Sequence, residues 1–273
     1  GSLDIAVYWG QSFDERSLEA TCDSGNYAYV IIGFLNTFGG GQTPALDISG
    51  HSPKGLEPQI KHCQSKNVKV LLSIGGPAGP YSLDSRNDAN DLAVYLHKNF
   101  LLPPAGTSES RPFGNAVLDG IDFHIEHGGP SQYQLLANIL SSFRLSGSEF
   151  ALTAAPQCVY PDPNLGTVIN SATFDAIWVQ FYNNPQCSYS AGNASALMNA
   201  WKEWSMKART DKVFLGFPAH PDAAGSGYMP PSKVKFQVFP NAQDSTKFGG
   251  IMLWDSYWDT VSQFSNKILG KGV

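Results

Sequence analysis

The sequence predicts one (β/α)8 barrel, with residues 1–273 forming a single domain. Three observations point there. Eight apolar, β-branched runs alternate with helical or loop segments. No linker or second composition regime interrupts the 273 residues, a length common for α/β barrels. Polar residues collect at the C-terminal ends of the runs, the rim where such barrels place their sites.

The first run covers residues 4–9 and leads into a polar loop with Gln11 and a short helix near 16–22. The second, 27–36, is long and reads as fully buried. A Gly-rich loop at 38–41 and a turn-rich segment to Pro53 follow, then a helix over 56–66. The third strand, 68–74, is closed by Gly75-Gly76. A helix over 89–100 and a Pro/Gly/Ser loop over 102–114 precede the fourth strand, which ends at Glu126. After a helix over 132–143, the remaining strands are 150–155, 176–182, 212–217 and 249–254, with helices near 194–206, 233–238 and 260–269.

The fourth strand carries the chemistry. Residues i, i+2 and i+4 of a strand share a face. Asp122, His124 and Glu126 therefore line one wall, backed by Ile121, Phe123 and Ile125. Three buried ionisable groups are costly unless paired or used. A self-satisfied polar network is the plain alternative. Asp119 has the wrong parity and belongs at the start of the strand. No cofactor is expected. A metal on the three residues is disfavoured, because alternate strand positions lie ~6.6–7 Å apart.

Composition narrows the partners. The chain is 42% hydrophobic, 12% aromatic and only 15% charged, with net charge −5 and no Lys/Arg run. That excludes nucleic acid and anionic membrane surfaces. No apolar stretch reaches the ~20 residues of a membrane span, so membrane insertion is not expected. Cys22, Cys63, Cys158 and Cys187 fit no zinc spacing, and their even number suggests two disulfides. Asn193-Ala194-Ser195 is a glycosylation sequon. The chain starts almost directly on a strand, with no signal peptide, and reads as a processed protein of the secretory pathway, secreted or vacuolar.

Asp119-Gly120-Ile121-Asp122-Phe123-His124-Ile125-Glu126 resembles the Asp-x-x-Asp-x-Asp-x-Glu signature of glycoside hydrolase family 18. The whole chain is similar to its plant class III chitinase branch, through Tyr8-Trp9-Gly10-Gln11, Phe34-Leu35-Asn36, Ser73-Ile74-Gly75-Gly76, Ala154-Ala155-Pro156-Gln157-Cys158, Gln180-Phe181-Tyr182-Asn183-Asn184-Pro185 and Gly249-Gly250-Ile251-Met252-Leu253-Trp254. The resemblance implies that Glu126 protonates the leaving oxygen while the substrate's own acetamido group attacks, an exception to the two-carboxylate scheme. It also implies that Asp122 helps hold charge, Tyr182 bonds the acetamido oxygen, and Trp254 forms the floor under the sugar. Tyr8, Gln11, Phe34 and Gln180 match positions lining the same groove. The disulfides would be Cys22–Cys63 and Cys158–Cys187; a third bridge found in many members has no counterpart.

Two departures stand out. His124 occupies the position of the Asp that orients the acetamido group and steadies the cationic intermediate. An imidazole brings no negative charge, and protonated it lowers the pKa of the acid Glu126. Loss of one such contact costs ~3–4 kcal/mol, two to three orders of magnitude in rate. The second departure is Pro77 and Pro80 after Gly75-Gly76, where family members commonly carry another Gly; proline removes a donor and fixes φ. The sequence thus reads as a chitinase-like lectin that binds N-acetylglucosamine or chitooligosaccharides without cleaving them. A weakly active chitinase acting through Glu126 and Tyr182 is one alternative. Inhibition of a foreign glycosidase is another, since cereal xylanase inhibitors resemble the family and lack the same Asp. Seed storage is a fourth role that the composition allows.

Overall fold

The computed structural model describes residues 3–105, 110–172 and 174–272, so Gly1-Ser2 and part of the expected loop at 102–114 lie outside the described residues. The strands are β1 (Asp4–Trp9), β2 (Tyr29–Thr37), β3 (Ala45–Leu46), β4 (Lys69–Gly76), β5 (Gly120–Ile125), β6 (Ala151–Ala154), β7 (Ala176–Gln180), β8 (Val213–Pro218) and β9 (Phe248–Trp254). β3 pairs antiparallel with β2 as a short flap. The other eight run parallel, and β1 pairs with both β2 and β9, which closes the barrel. This is the expected (β/α)8 architecture.

Around it run α1 (Leu18–Asp23), α2 (Leu56–Ser65), α3 (Arg86–Leu96), α4 (Tyr133–Leu145), α5 (Gly166–Ser171), α6 (Ser195–Lys207), α7 (Pro231–Lys233), α8 (Phe239–Ala242), α9 (Ser256–Ser262) and α10 (Phe264–Leu269). Side-chain caps set several starts. Ser17 Oγ accepts from Ala20 N at 3.0 Å and Ser85 Oγ from Asp88 N at 3.1 Å. The Ser85 cap is why α3 begins three residues before the expected 89; it then widens into a π turn at His97–Leu101.

Two further expectations change. The helix expected at 233–238 is a π turn between α7 and α8, where Pro240 has no N–H to continue the ladder. The single helix expected at 260–269 breaks at Gln263, whose φ is +61°. β3 and α5 escaped the sequence reading, being two and six residues long.

Strand alternation splits the apolar residues into two cores. Ile121, Phe123 and Ile125 point outward and pack in the layer between sheet and helices. Phe123 meets Phe174 edge-on at 5.4 Å and Tyr133 at 6.5 Å. Tyr8, Phe34, Trp178, Phe214 and Met252 fill the barrel interior. Asp119 sits just before β5, where its carboxylate accepts from Val70 N at 2.8 Å and Gln64 Nε2 at 3.0 Å, tying the strand to β4 and α2. The two disulfides pair as the resemblance implies: Cys22–Cys63 joins α1 to α2, and Cys158–Cys187 joins the segments after β6 and β7. Among the described residues, no helix is long and apolar enough to cross a membrane.

Candidate functional site

β5 turns Asp122 and His124 into the barrel, with Glu126 immediately beyond its end. Asp122 accepts four hydrogen bonds, from Tyr8 Oη at 2.6 Å, Ser73 Oγ at 2.7 Å, Thr153 Oγ1 at 2.7 Å and Trp178 Nε1 at 2.9 Å. Sheet register explains two of them, since Ser73 and Thr153 flank Asp122 directly on β4 and β6. A carboxylate has about four lone-pair sites, so this one is saturated by the protein.

His124 is read by proton accounting. The Tyr8 hydroxyl gives its one proton to Asp122, so Nδ1 of His124 donates to the Tyr8 oxygen at 3.1 Å. Nε2 faces Glu126 Oε2 at 3.1 Å, with one proton between them. The other Glu126 oxygen accepts from Gln157 Nε2 at 3.3 Å, and Gln157 in turn accepts from Asn184 Nδ2 at 3.1 Å. Burial pushes the Glu126 carboxyl up, but the hydrogen bond and charge of His124, with the Gln157 amide, outweigh it and hold the group below the usual carboxylate value. That direction disfavours the protonated form that a general acid needs.

Glu126 is also held through its backbone. Its N–H donates to Tyr81 Oη at 3.0 Å, and that hydroxyl donates to Gly76 O at 2.7 Å. The strand end of β4 is close-packed enough to demand glycine. At φ +99° and +104°, a Cβ on Gly75 would lie 2.4 Å from His124 O and one on Gly76 2.7 Å from the Phe34 ring.

A cavity of about 410 Å³ opens at the barrel mouth, lined by Pro77, His124, Glu126, Gln180, Tyr182 and Trp254, with Asn183 and residues 222–225 at its edge. Five of the expected catalytic and sugar-binding residues meet here, together with Pro77. The Tyr182 hydroxyl is buried and has no hydrogen-bond partner among the described residues. Burial, then the nearby Glu126 and Asp255 carboxylates, raise it well above the ordinary tyrosine value, so it stays protonated. Gln180 spends its Nε2 on Ala155 O at 2.8 Å.

Three residues expected in the groove do not line this cavity. Tyr8 is fully buried with its hydroxyl committed, and its ring lies 5.2 Å from Trp254. Phe34 stacks beneath Trp254 at 6.0 Å and 20°. Gln11 spends its amide on Gly33 O at 2.9 Å and Asp47 O at 3.3 Å, which ties the loop after β1 to the β2 edge. Alternation gave their strand position but not how deep each side chain sits.

The Pro77–Pro80 loop is pinned over the end of β2, where Asn36 Nδ2 donates to Ala78 O at 3.4 Å and Gln42 Nε2 to Pro80 O at 2.8 Å. Pro77 reaches the cavity; Pro80 does not. Asn193 is exposed, and its Oδ1 accepts from Ser195 N at 2.8 Å. Three hollows are larger: two of about 540 and 500 Å³ flank α6, with Glu203 the only charged residue lining either among the described residues, and one of about 430 Å³ lies by α7 with Lys235 and Lys267 in its wall. The converging strand-end groups mark the smaller mouth cavity as the candidate site. On the outer helices, Glu19, Asp23 and His62 bring ligand-type atoms within 4.8 Å of one another, with His62 Nε2 already on Asp23 at 2.7 Å.

The model of the glycosyl hydrolases family 18 matches residues 4–231. The chain belongs to glycosyl hydrolase family 18. An acidic endochitinase of Arabidopsis thaliana is 49% identical over 271 residues, covering 97% of this chain and 89% of that one. The crystal structure of the xylanase and α-amylase inhibitor protein XAIP-II from Scadoxus multiflorus is 99% identical, with TM-score 0.99 and full coverage of both chains. The tamarind chitinase-like lectin is 32% identical, with TM-score 0.86, covering 98% and 99%. This family 18 barrel therefore resembles proteins named as hydrolase, inhibitor and lectin, and the fold alone does not choose among them. Sequence reasoning missed the donors Ser73, Thr153 and Trp178 on Asp122 and the Tyr81 latch on Glu126. A Ser and a Thr at inward positions of otherwise apolar strands were the signal for the first two; the Tyr81 latch left none.

Proposed function

We propose that this family 18 barrel has lost hydrolysis and serves as an inhibitor of foreign glycosidases, a xylanase and an α-amylase among them. The loss is supported by one observation: His124 sits between Tyr8 and Glu126, 3.1 Å from each, where its hydrogen bond and charge draw the Glu126 carboxyl below its ordinary value. The inhibitory role is drawn from the 99% identical inhibitor over the full chain. A protein that disarms glycan-degrading enzymes suits a secreted or vacuolar plant-defence setting, with the exposed Asn193 open to glycosylation.

Titrating the chain into a xylanase and into an α-amylase tests the inhibitory half. Saturable loss of both activities is expected, and two unaffected enzymes would refute it. A lectin role is the second reading. The unpartnered Tyr182 hydroxyl and the Trp254 face in one cavity favour it, because they offer a bonding group and a stacking surface to a sugar.

A further inference from the structure

The family resemblance implies that the side chain at position 124 accepts from the N–H of an N-acetyl group. Here an imidazole stands at that position, packed among rings. Its ring meets Tyr8 at 5.3 Å and Phe34 at 4.9 Å, both edge-on, and lies 6.0 Å from Trp254. Both of its nitrogens are spent inside the protein. Asp122 beneath it is saturated by four donors and offers nothing further.

What remains is rich in acceptors and negative in charge. Glu126 is one-fifth exposed at its side chain, and among the described residues its Oε1 has only the 3.3 Å contact from Gln157. Asp222 brings a second carboxylate at the rim, 75% exposed at its side chain. Among the described residues, no lysine or arginine lines the cavity. The offsetting groups are imidazoles alone: His124 and His127 act on Glu126, and His220 Nδ1 lies 3.8 Å from Asp222. The Tyr182 hydroxyl is buried to 96% without a partner, so it seeks one from a ligand. Trp254 supplies a flat apolar face, and about 410 Å³ lies within the ordinary range of small-ligand sites.

The geometry points to a site for a cationic amino sugar, a de-N-acetylated chitooligosaccharide whose ammonium meets Glu126 and whose ring face lies on Trp254. The free ammonium needs no N-acetyl pocket, donates up to three hydrogen bonds and carries the charge that the carboxylates favour. The N-acetylated ring has lost its acceptor and meets the imidazole instead. This inference shares with the noncatalytic reading its placement of His124, but predicts binding rather than the absence of turnover.

The test is calorimetric titration of the full chain at mildly acid pH with fully deacetylated chitosan trimer and, separately, with triacetylchitotriose. The deacetylated trimer is expected to bind at least about tenfold more tightly, the worth of one charge-assisted contact. Glu126→Gln, which keeps the side-chain shape, should remove most of that difference. Asp222→Asn, at an exposed position that cannot endanger folding, should weaken the deacetylated trimer by about twofold. Equal or tighter binding of the acetylated trimer overturns the proposal whatever the hydrolysis assay shows. So does deacetylated-trimer binding unchanged in Glu126→Gln, which would assign it to the general acidic surface. Failure of both trimers to bind overturns it too, while leaving loss of hydrolysis standing. Cleavage of the acetylated trimer would overturn the noncatalytic reading itself.

Discussion

His124 does two things with one ring: it removes a negative charge from the inner wall and draws the Glu126 carboxyl down by hydrogen bond and charge. Reversing it should restore chemistry. His124→Asp is expected to raise turnover of a fluorogenic chitotrioside by roughly 100-fold or more over the native chain. Adding Pro77→Gly should raise it further, because Pro77 lines the same cavity. A folded His124→Asp variant that stays silent contradicts the account at this scale. Asp122 makes a different prediction. Its removal as Asp122→Ala strands four buried donors, so urea unfolding should show a loss of about 3 kcal/mol or more. The identity of the site was legible in eight consecutive residues, because strand parity alone sets Asp122, His124 and Glu126 on one wall. Depth was not legible. Tyr8 and Gln11 sit at the end of β1 or just beyond it, yet one hydroxyl is spent inside the barrel and one amide on neighbouring backbone.

At the scale of elements, β5 is locked by its neighbours, whereas the segments after β6, β7 and β9 carry the mouth. Cys158–Cys187 closes a span of 29 residues between two of them. Replacing both cysteines by alanine should cost about 3 kcal/mol in the same unfolding assay. Asp255 caps α9 through Trp258 N at 3.2 Å and follows Trp254 directly. Burial first, then the Glu15 charge, raises its carboxyl from 3.8 to about 7. The folded state then binds the proton more tightly than the unfolded chain. The stability this gives is complete below the ordinary value of 3.8 and is lost as pH rises through about 7. Asp255→Asn, which keeps the cap, should flatten the fall in Tm across that window; an unchanged slope would rule Asp255 out as its source. The eight barrel strands were readable because each is a near-continuous apolar run. β3 and α5 were not, since two paired residues and one turn of Gly166-Thr167-Val168-Ile169-Asn170-Ser171 leave no period to detect.

The whole molecule keeps the family 18 barrel, both disulfides and a mouth cavity, with the Glu126 carboxyl drawn below its ordinary value beside His124. One fold is shared by proteins named as endochitinases, a lectin and an inhibitor, so function here has to be argued from the site and not from the barrel. The proposed inhibitory role calls on no chemistry at Glu126. Glu126→Gln is therefore expected to inhibit xylanase and α-amylase as well as the native chain does, and parallel inhibition curves check it. The most direct measurement is mass-spectrometric detection of products from triacetylchitotriose incubated with the native chain and, beside it, with Glu126→Gln. The account predicts no product from the native chain beyond the Glu126→Gln background. Turnover in the ordinary enzymatic range of roughly 1–1,000 per second, abolished by Glu126→Gln, would contradict it.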